Sequence, residues 1–186
     1  MQKTPSVCYK CVSIADEIQQ ILDLQNENHF SSVSSKDKEE EGFLTVRHDY
    51  RLLDDMNKSC PHIIAVTKEK VIGYALSMLP SFGNQIPILQ PMFNQLTSLL
   101  PDYKMEVADF VIMGQICIAK EYRKQGVFRG LYNRMIEELN GNYLGLITEV
   151  NMKNTRSLNA HYAVGFKTLL KHHANGQDWN LIWMRF

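Results

Sequence analysis

The chain has 186 residues, of which 45% are hydrophobic, and its 20 basic residues are balanced by 20 acidic ones. This length favours one domain with one core, and the balanced charge argues against a nucleic-acid-binding or membrane-surface protein, because both need a basic field. No apolar run is long enough to cross a bilayer and the N-terminus has no signal-peptide core, so we expect a cytoplasmic protein without a nucleic-acid or membrane partner.

Four cysteines fit a reducing compartment in which thiols stay unpaired. Cys8 and Cys11 have C-x-x-C spacing, but they fall in a β-like run, where residues three apart point to opposite faces. His172 and His173 are neighbours in another predicted strand, so their side chains diverge. We therefore expect no metal site at either place.

The chain begins with a strand and a helix. Alternating apolar and polar residues predict a strand over Val7–Val12. Ser13 is the expected N-cap of the helix that follows, since Asp16 and Glu17 fall in its first turn. The residues at helical spacing on its packed face are Ile14, Ile18, Ile21, Leu22 and Gln25.

The next segments run to the middle of the chain. Residues Ser31–Gly42 are polar and charged, which indicates an exposed mobile connection, and a second helix is predicted over Phe43–Asn57. Two β-runs, His62–Thr67 and Val71–Leu79, form a hairpin. The excursion Pro80–Val107 carries exposed-looking apolar residues and a short helix near Met92–Leu100. Such an excursion covers a pocket or forms a partner surface.

The second half alternates strands and helices. Strands are predicted over Ala108–Ala119 and Tyr143–Val150, and helices over Lys124–Asn140 and Lys153–Val164. A final hairpin pairs Phe166–His172 with Trp179–Phe186 across Ala174-Asn175-Gly176-Gln177. The fold class is therefore mixed α/β, with an α+β mixed sheet of about seven strands and four or five helices.

One turn in this half has the composition of an anion site. Residues 123–130, RKQGVFRG, lie between a strand and a helix, so backbone N–H groups at the helix start point out of the helix end. Lys124 and Arg129 add positive charge, and Gly126 permits close approach of a ligand. A diphosphate would suit this site. An ordinary strand–turn–helix joint with surface cations is the alternative.

A second segment, TEVNMKN from Thr148 to Asn154, ends a buried strand and leads into a helix that closes on Gly165. Together the two segments resemble the GNAT superfamily of acyl-CoA-dependent N-acyltransferases. Arg123 and Gly126 match its phosphate-loop pattern Q/R-x-x-G-x-G/A, whereas Phe128 replaces the last small residue. Asn154, followed eleven and twelve residues later by Gly165 and Phe166, matches the second signature.

The resemblance implies a single GNAT domain over residues 1–186 that uses acetyl-CoA as cosubstrate and needs no metal. In that fold the fourth and fifth strands diverge and the acyl-CoA enters between them. The pantetheine arm would pair with one strand like an added peptide, and the diphosphate would lie on the turn. The expected cofactor-binding residues are Ile116, Cys117, Ile118, Arg123, Lys124, Gln125, Gly126, Val127, Phe128, Arg129, Asn154 and Ser157.

Acyl transfer to an alkyl amine requires a proton acceptor, since deprotonating an amine of pKa near 10.4 at pH 7 costs about 4–5 kcal/mol. Glu149 at the end of the fifth strand is the first candidate and Asp109 is the second. A solvated strand-end carboxylate is the alternative for each. The tyrosine that acts as the acid in many family members is replaced here by His161, which could donate a proton to the leaving thiolate or hydrogen-bond the sulfur, with a structural role as the alternative. Tyr162 is one position later, rotated by about 100° around the helix, and is expected in the core rather than as the acid.

The family builds its acceptor site from segments that here are Gln25–Asn57, Pro80–Val107 and His172–Asp178. These segments lack a dense acidic patch, and the apolar excursion favours a small, partly hydrophobic primary amine attacking directly in a ternary complex. Closure of the site by a second subunit, in a homodimer, is the other option. The alternative function is a non-catalytic acyl-CoA-binding sensor or scaffold, favoured by Phe128 and by the missing tyrosine.

Overall fold

The structure is a computed structural model and describes residues 6–29, 44 and 46–186. Seven strands form one mixed sheet in the order β1-β2-β3-β4-β5-β7-β6, which confirms the predicted fold class. The strands are β1 Cys8–Cys11, β2 Ile63–Thr67, β3 Lys70–Met78, β4 Phe110–Ile118, β5 Gly145–Asn151, β6 Lys167–Ala174 and β7 Gln177–Arg185. The helices are α1 Ala15–Asn28, α2 Tyr50–Ser59, α3 Gln90–Leu99, α4 Val127–Leu139 and α5 Thr155–Ala163.

Strand pairing is antiparallel from β1 to β2 and from β2 to β3, and parallel between β4 and β5. β7 pairs antiparallel with both β5 and β6. The β6–β7 hairpin turns through Asn175 and Gly176, whose φ angles of 51° and 71° fit the two-residue turn that matches strand twist. The predicted hairpin is therefore confirmed.

The contacts divide the chain into two compact units. The first contains the described part of Met1–Ser77 together with Gly114–Glu138. Its core forms because α1 places apolar residues at helical spacing against apolar residues of the strands. The buried cluster consists of Val12, Ile18, Ile21, Leu24, Leu53, Ile64, Val71, Tyr74, Leu76, Cys117 and Ala119.

The second unit contains Met78–Met113 and Leu139–Phe186. It holds the strands β5, β7 and β6, with Trp183 of β7 packed edge-on against Tyr103 at 5.6 Å and beside Phe110 at 6.0 Å between ring centroids. The expectation of a single domain over residues 1–186 stays a prediction.

The start of the first helix differs from the prediction. α1 begins at Ala15, with Ile14 as the N-cap, and not after Ser13. The reason is Glu17, whose carboxylate accepts from the backbone N–H groups of Ser13, at 2.8 Å, and Ile14, at 3.3 Å. Ser13 therefore donates to the helix start instead of capping it, and Ile14 is 58% exposed, outside the packed face.

The predicted start of the second helix, Phe43, was wrong. α2 covers Tyr50–Ser59 with Asp49 as its N-cap, whose carboxylate accepts from Leu52 N at 2.8 Å. Residues 46–49 are not helical because this cap fixes the first turn after Asp49. The predicted mobile segment Ser31–Gly42 lies outside the described residues.

The excursion after β3 is packed rather than exposed. It folds as short three-ten turns around α3, and its large apolar residues Met92, Phe93, Leu96 and Leu100 are each at most 8% exposed. Ile88, at 45%, is an exception. The described helices all lack the length and hydropathy that crossing a bilayer requires.

Candidate active site

The last residues of β4, in the first unit, alternate between core and half-buried positions. Gln115 and Cys117 are buried, whereas Ile116 and Ile118 are half-buried. Ala119 N donates to Ile72 O in β3 at 2.9 Å. Because successive backbone amides of a strand point to opposite edges, the N–H groups of Ile116 and Ile118 point away from β3. These two residues therefore have the orientation expected for pairing with an extended ligand, and Cys117 does not.

The turn after β4 is left-handed at two positions. Lys124 has φ of 61° and Gly126 has φ of 84°, a region that favours glycine. A Cβ built on Gly126 would meet no heavy atom within 4 Å, so the backbone at this glycine borders open space. The turn ends where Gly130 N donates to Gly126 O at 3.0 Å, which starts α4. By helix geometry, the first-turn amides of α4 have no carbonyl one turn earlier.

Arg123 fixes this turn to the rest of the first unit. Its Nε donates to Ile118 O at 2.9 Å and its Nη2 to Asn28 Oδ1 at 2.6 Å. Gln125 Nε2 donates to Glu121 O at 2.7 Å, within the turn itself. The side chains of these two predicted cofactor-binding residues therefore shape the loop, while the exposed Lys124 and Arg129 supply its charge.

Phe128 departs from the family pattern, and its position shows how the chain accommodates a large residue. The half-buried Phe128 ring packs on Tyr132, one helical turn further along α4, with 5.1 Å between ring centroids. Val127 before it is 2% exposed and anchors the start of the helix in the core. The large side chain thus packs along α4, and the substitution leaves the backbone donors of the turn intact.

In the second unit, the end of β5 leads into α5 through two asparagines. The β4–β5 ladder runs from Phe110↔Gly145 to Ile112↔Ile147. Beyond it, Asn151 Oδ1 accepts from Lys153 N at 2.9 Å. Asn154 is the N-cap of α5, since its Oδ1 accepts from Ser157 N at 3.1 Å. Asn154 and Ser157 are therefore held next to each other at the helix start.

Glu149 forms a buried pair with His172 in the same unit. His172 Nε2 lies 2.5 Å from Glu149 Oε1, and the two side chains are 8% and 9% exposed. Burial raises the pKa of Glu149, and the His172 hydrogen bond acts against this shift. This burial excludes the solvated-carboxylate alternative for Glu149. Sequence reasoning considered both residues separately and missed their pairing.

Asp109, the second candidate base, has a capping role. Its carboxylate accepts from Glu106 N at 2.7 Å and closes the three-ten turn Val107–Asp109 before β4. Its backbone O accepts from Leu144 N at 2.7 Å. These bonds give Asp109 a structural role at the start of β4, and its role as a base stays a prediction.

His161 is buried, at 1% exposure, and its ring packs edge-on against Phe166 at 5.2 Å between centroids. Its Nδ1 donates to Ser157 O at 2.7 Å. Burial lowers the pKa of His161 to about 4, so the ring is neutral at pH 7. A neutral imidazole with its proton on Nδ1 carries none on Nε2, and this geometry argues against His161 as the acid.

Tyr162 is not in the core as expected. It is 40% exposed because the adjacent His161 takes the buried face of α5. Its hydroxyl lies 2.9 Å from Thr168 Oγ1 and accepts from Asn180 Nδ2 at 2.7 Å. The helix then ends as predicted: Gly165 has φ of 114°, and Phe166 N donates to His161 O at 3.1 Å.

A buried polar network in the first unit escaped the sequence reasoning. Gln115 Oε1 accepts from Gln25 Nε2 at 2.7 Å and from Tyr74 Oη at 2.6 Å. Gln115 Nε2 donates to Val46 O at 2.9 Å, and His48 N donates to Gln25 Oε1 at 2.8 Å. The network fixes the segment before α2 against β4. The signal available in the sequence was Gln25, a polar residue at a core-facing position of the first helix.

Comparison with known proteins places this geometry in a family. The model of the acetyltransferase (GNAT) family matches residues 18–166. A search of curated proteins found no significant match.

Solved structures share the fold at low identity. Arabidopsis thaliana NAA60 in complex with acetyl-CoA has a TM-score of 0.68 at 11% identity, covering 97% of this chain and 100% of that one. The ribosomal-protein-S18-alanine N-acetyltransferase from Escherichia coli has a TM-score of 0.64 at 12% identity, covering 97% and 94%. A chimera of spermidine N-acetyltransferase SpeG from Vibrio cholerae and hSSAT has a TM-score of 0.57 at 14% identity, covering 96% and 95%.

Proposed function

The chain belongs to the acetyltransferase (GNAT) family, and on that premise we propose that it transfers an acetyl group from acetyl-CoA to the primary amine of a small molecule. The observation that carries the proposal is the left-handed turn at Lys124 and Gly126, with open space beside Gly126. A diphosphate would fit here because the helix-start amides, the positive charge of Lys124 and Arg129 in the turn, and the open space beside Gly126 all favour an anion.

The rest of the cosubstrate has candidate contacts in each unit. In the first unit, Ile116 and Ile118 present backbone N–H groups at the strand edge away from β3, which suits the amides of a pantetheine arm. In the second unit, Asn154 and Ser157 stand together at the start of α5. We assign Phe128 a packing role against Tyr132 and no role in holding the phosphates through its side chain.

Direct attack by the amine is favoured over an acetylated enzyme. Cys117, the cysteine in the proposed cofactor strand, is 7% exposed, and burial raises the pKa of its thiol to about 12. A thiol that stays protonated is a poor nucleophile. The amine nitrogen would therefore attack the thioester carbon itself, forming the N–C bond as the C–S bond breaks.

Glu149 is the proposed proton acceptor. An ammonium substrate must lose one proton before attack and a second one as the amide forms, and a carboxylate held in a buried pair is suited to the first transfer. We do not assign the acid role to His161 or the base role to Asp109. The second proton can pass to the leaving thiolate, directly or through water, and no protein acid is needed because a free thiol has a pKa of only about 8.5.

The proposed acceptor is a small, partly apolar amine. In the excursion that the family places beside its acceptor, Met92 and Leu96 of α3 are buried, whereas the apolar Ile88 is 45% exposed and available to an apolar part of the amine. Solved structures of the same fold include a chimera of a spermidine N-acetyltransferase and one enzyme named for an alanine of a ribosomal protein. Free amines and peptides are therefore the two classes to separate.

The test is thiol release from acetyl-CoA against polyamines, arylalkylamines and N-terminal peptides, with each product identified by an added mass of one acetyl group. We expect turnover with at least one free amine and intersecting initial-rate lines, as a ternary complex requires. Turnover with peptides alone would contradict the acceptor class. Tight CoA binding without turnover on any amine would favour a non-catalytic sensor or scaffold.

A further inference from the structure

The pair formed by Glu149 and His172 spans three strands of the second unit. Glu149 in β5 is opposite Leu181 in β7, and His172 in β6 is opposite Trp179 in β7. Leu181 and Trp179 are two residues apart and share a face of the sheet, so both members of the pair lie on that face. Their side chains meet above β7, with 2.5 Å between His172 Nε2 and Glu149 Oε1.

Burial makes this arrangement unusual. A carboxylate removed from water is unfavourable unless it is paired and hydrogen-bonded, and here both side chains are less than 10% exposed. Among the described residues, His172 is the donor to Glu149, and it reaches Oε1. The other carboxylate oxygen, Oε2, is not bonded by any described residue.

The adjacent histidine, His173, also pairs with a carboxylate, but this pair is exposed to solvent. His173 Nδ1 lies 2.8 Å from Asp178 Oδ1, but these side chains are 66% and 69% exposed. Exposed pairs of this kind contribute little to stability. The chain therefore contains two histidine–carboxylate pairs on successive residues of one strand, one exposed to solvent and one buried.

We propose that His172 is a positioning residue for the acetyl transfer: its Nε2–H holds Oε1 of Glu149 and so aims Oε2 at the proton of the acceptor ammonium. This role rests on the proposed function. A carboxylate that is hydrogen-bonded through one oxygen cannot rotate freely, so the orientation of its second oxygen is fixed. The amine proton goes to Oε2, directly or through one water, while His172 keeps its own proton throughout.

Two substitutions separate this role from simple packing. His172→Gln keeps a donor, since the amide nitrogen of glutamine is the same number of bonds from Cα as Nε2 of histidine. His172→Asn keeps a polar amide, but its donor nitrogen is one bond closer to Cα and therefore does not reach Oε1 of Glu149. Lys171→Asn is the control, because it changes an exposed residue next to His172 on the same strand, outside the segments expected to form the acceptor site.

Each variant is purified at full length, and its melting temperature is measured with and without CoA before kinetics with the best amine. We expect His172→Asn to lower kcat by roughly tenfold or more, as a mispositioned general base would. Its KM for acetyl-CoA should stay within about twofold of the wild type. His172→Gln should retain kcat within about threefold, and Lys171→Asn should match the wild type.

If His172→Asn has the kcat of the wild type, His172 has no positioning role, and the proposed function is not affected. Equal losses in His172→Asn and His172→Gln, or a matching loss in Lys171→Asn, would overturn the positioning role too, since packing of the strand would then explain the effect. A wild-type enzyme that acetylates no amine would overturn the proposed function as well, and the wild-type assay in the same series distinguishes that result from the others.

Discussion

Replacing Gly126 by alanine tests the anion-binding turn, and Gly141→Ala provides its control. Both glycines have positive φ, 84° and 93°, and a Cβ built on either meets no heavy atom within 4 Å. The backbone strain of the two substitutions should therefore be the same. They differ in place, because Gly126 lies in the proposed diphosphate turn and Gly141 lies between α4 and β5.

The magnitudes follow from that geometry. A left-handed conformation costs an alanine about 1–2 kcal/mol. For a chain of this size, 1 kcal/mol lowers the melting temperature by roughly 2–4 °C, so both variants should melt about 2–8 °C below the wild type. In Gly126→Ala the new methyl group also occupies the space in which a phosphate would approach the backbone. We expect the Kd for CoA to rise about tenfold, equivalent to about 1.4 kcal/mol.

Thermal melting without ligand and calorimetric titration with CoA measure the two effects separately. We expect equal melting temperatures for the two variants and weakened CoA binding only in Gly126→Ala. If Gly126→Ala binds CoA as the wild type does, the diphosphate does not lie on this turn. If both variants bind CoA equally weakly, general destabilisation explains the loss and the turn has no special role.

Three further predictions concern stability. Gly145→Ala should lower the free energy of unfolding by at least about 3 kcal/mol, because its Cβ would overlap the backbone of Met184; a urea midpoint equal to that of the wild type would refute this clash. Gln115→Met should lower the free energy of unfolding by roughly 2–4 kcal/mol in the same assay, since it leaves two or more buried polar groups without a hydrogen bond. A loss below about 0.5 kcal/mol would contradict the role of the network. Stability should be constant between about pH 7 and 8 and fall as the pH drops from about 6.5 toward 4, because the histidines of the unfolded chain bind protons before those of the folded chain. A urea midpoint that does not change between pH 4.5 and 7 would be inconsistent with the pKa values of His48, His62 and His161, which burial lowers to about 4, 3 and 4.

The alternation of elements could be read from the sequence because most of it depends on local pattern. The strands of the second half and the closing hairpin follow from period-two runs and from the turn at Asn175 and Gly176. The C-terminal cap at Gly165 follows from one glycine after a helical pattern. Local signals also located the turn at Gly126.

Helix starts were less accessible because several residues compete for the same backbone donors. Ser13 has the side chain of a typical N-cap, and only the folded geometry shows that Glu17 instead reaches back to the N–H groups of Ser13 and Ile14, just before α1. At α2 the cap is Asp49, seven residues into the predicted helix. Neither outcome follows from spacing alone.

The polar partners inside the fold required long-range register. Gln25 and Gln115 are 90 residues apart, and Glu149 and His172 meet only because β7 pairs with both of their strands. A sequence shows that each residue is polar at a position expected to be buried, but it does not show which partner satisfies it. The turn at residues 123–130 was predictable because its helix-start donors are local backbone groups, and its role in binding a cofactor stays a prediction.

The most direct test of the central claim follows the backbone amides of the turn during titration with CoA. In a two-dimensional ¹H–¹⁵N spectrum, the account predicts that the largest shifts occur at the amides of residues 125–129, and that pantetheine, which lacks the diphosphate, does not produce them. If CoA leaves these amides unshifted, or if pantetheine shifts them equally, the diphosphate is not bound at the start of α4.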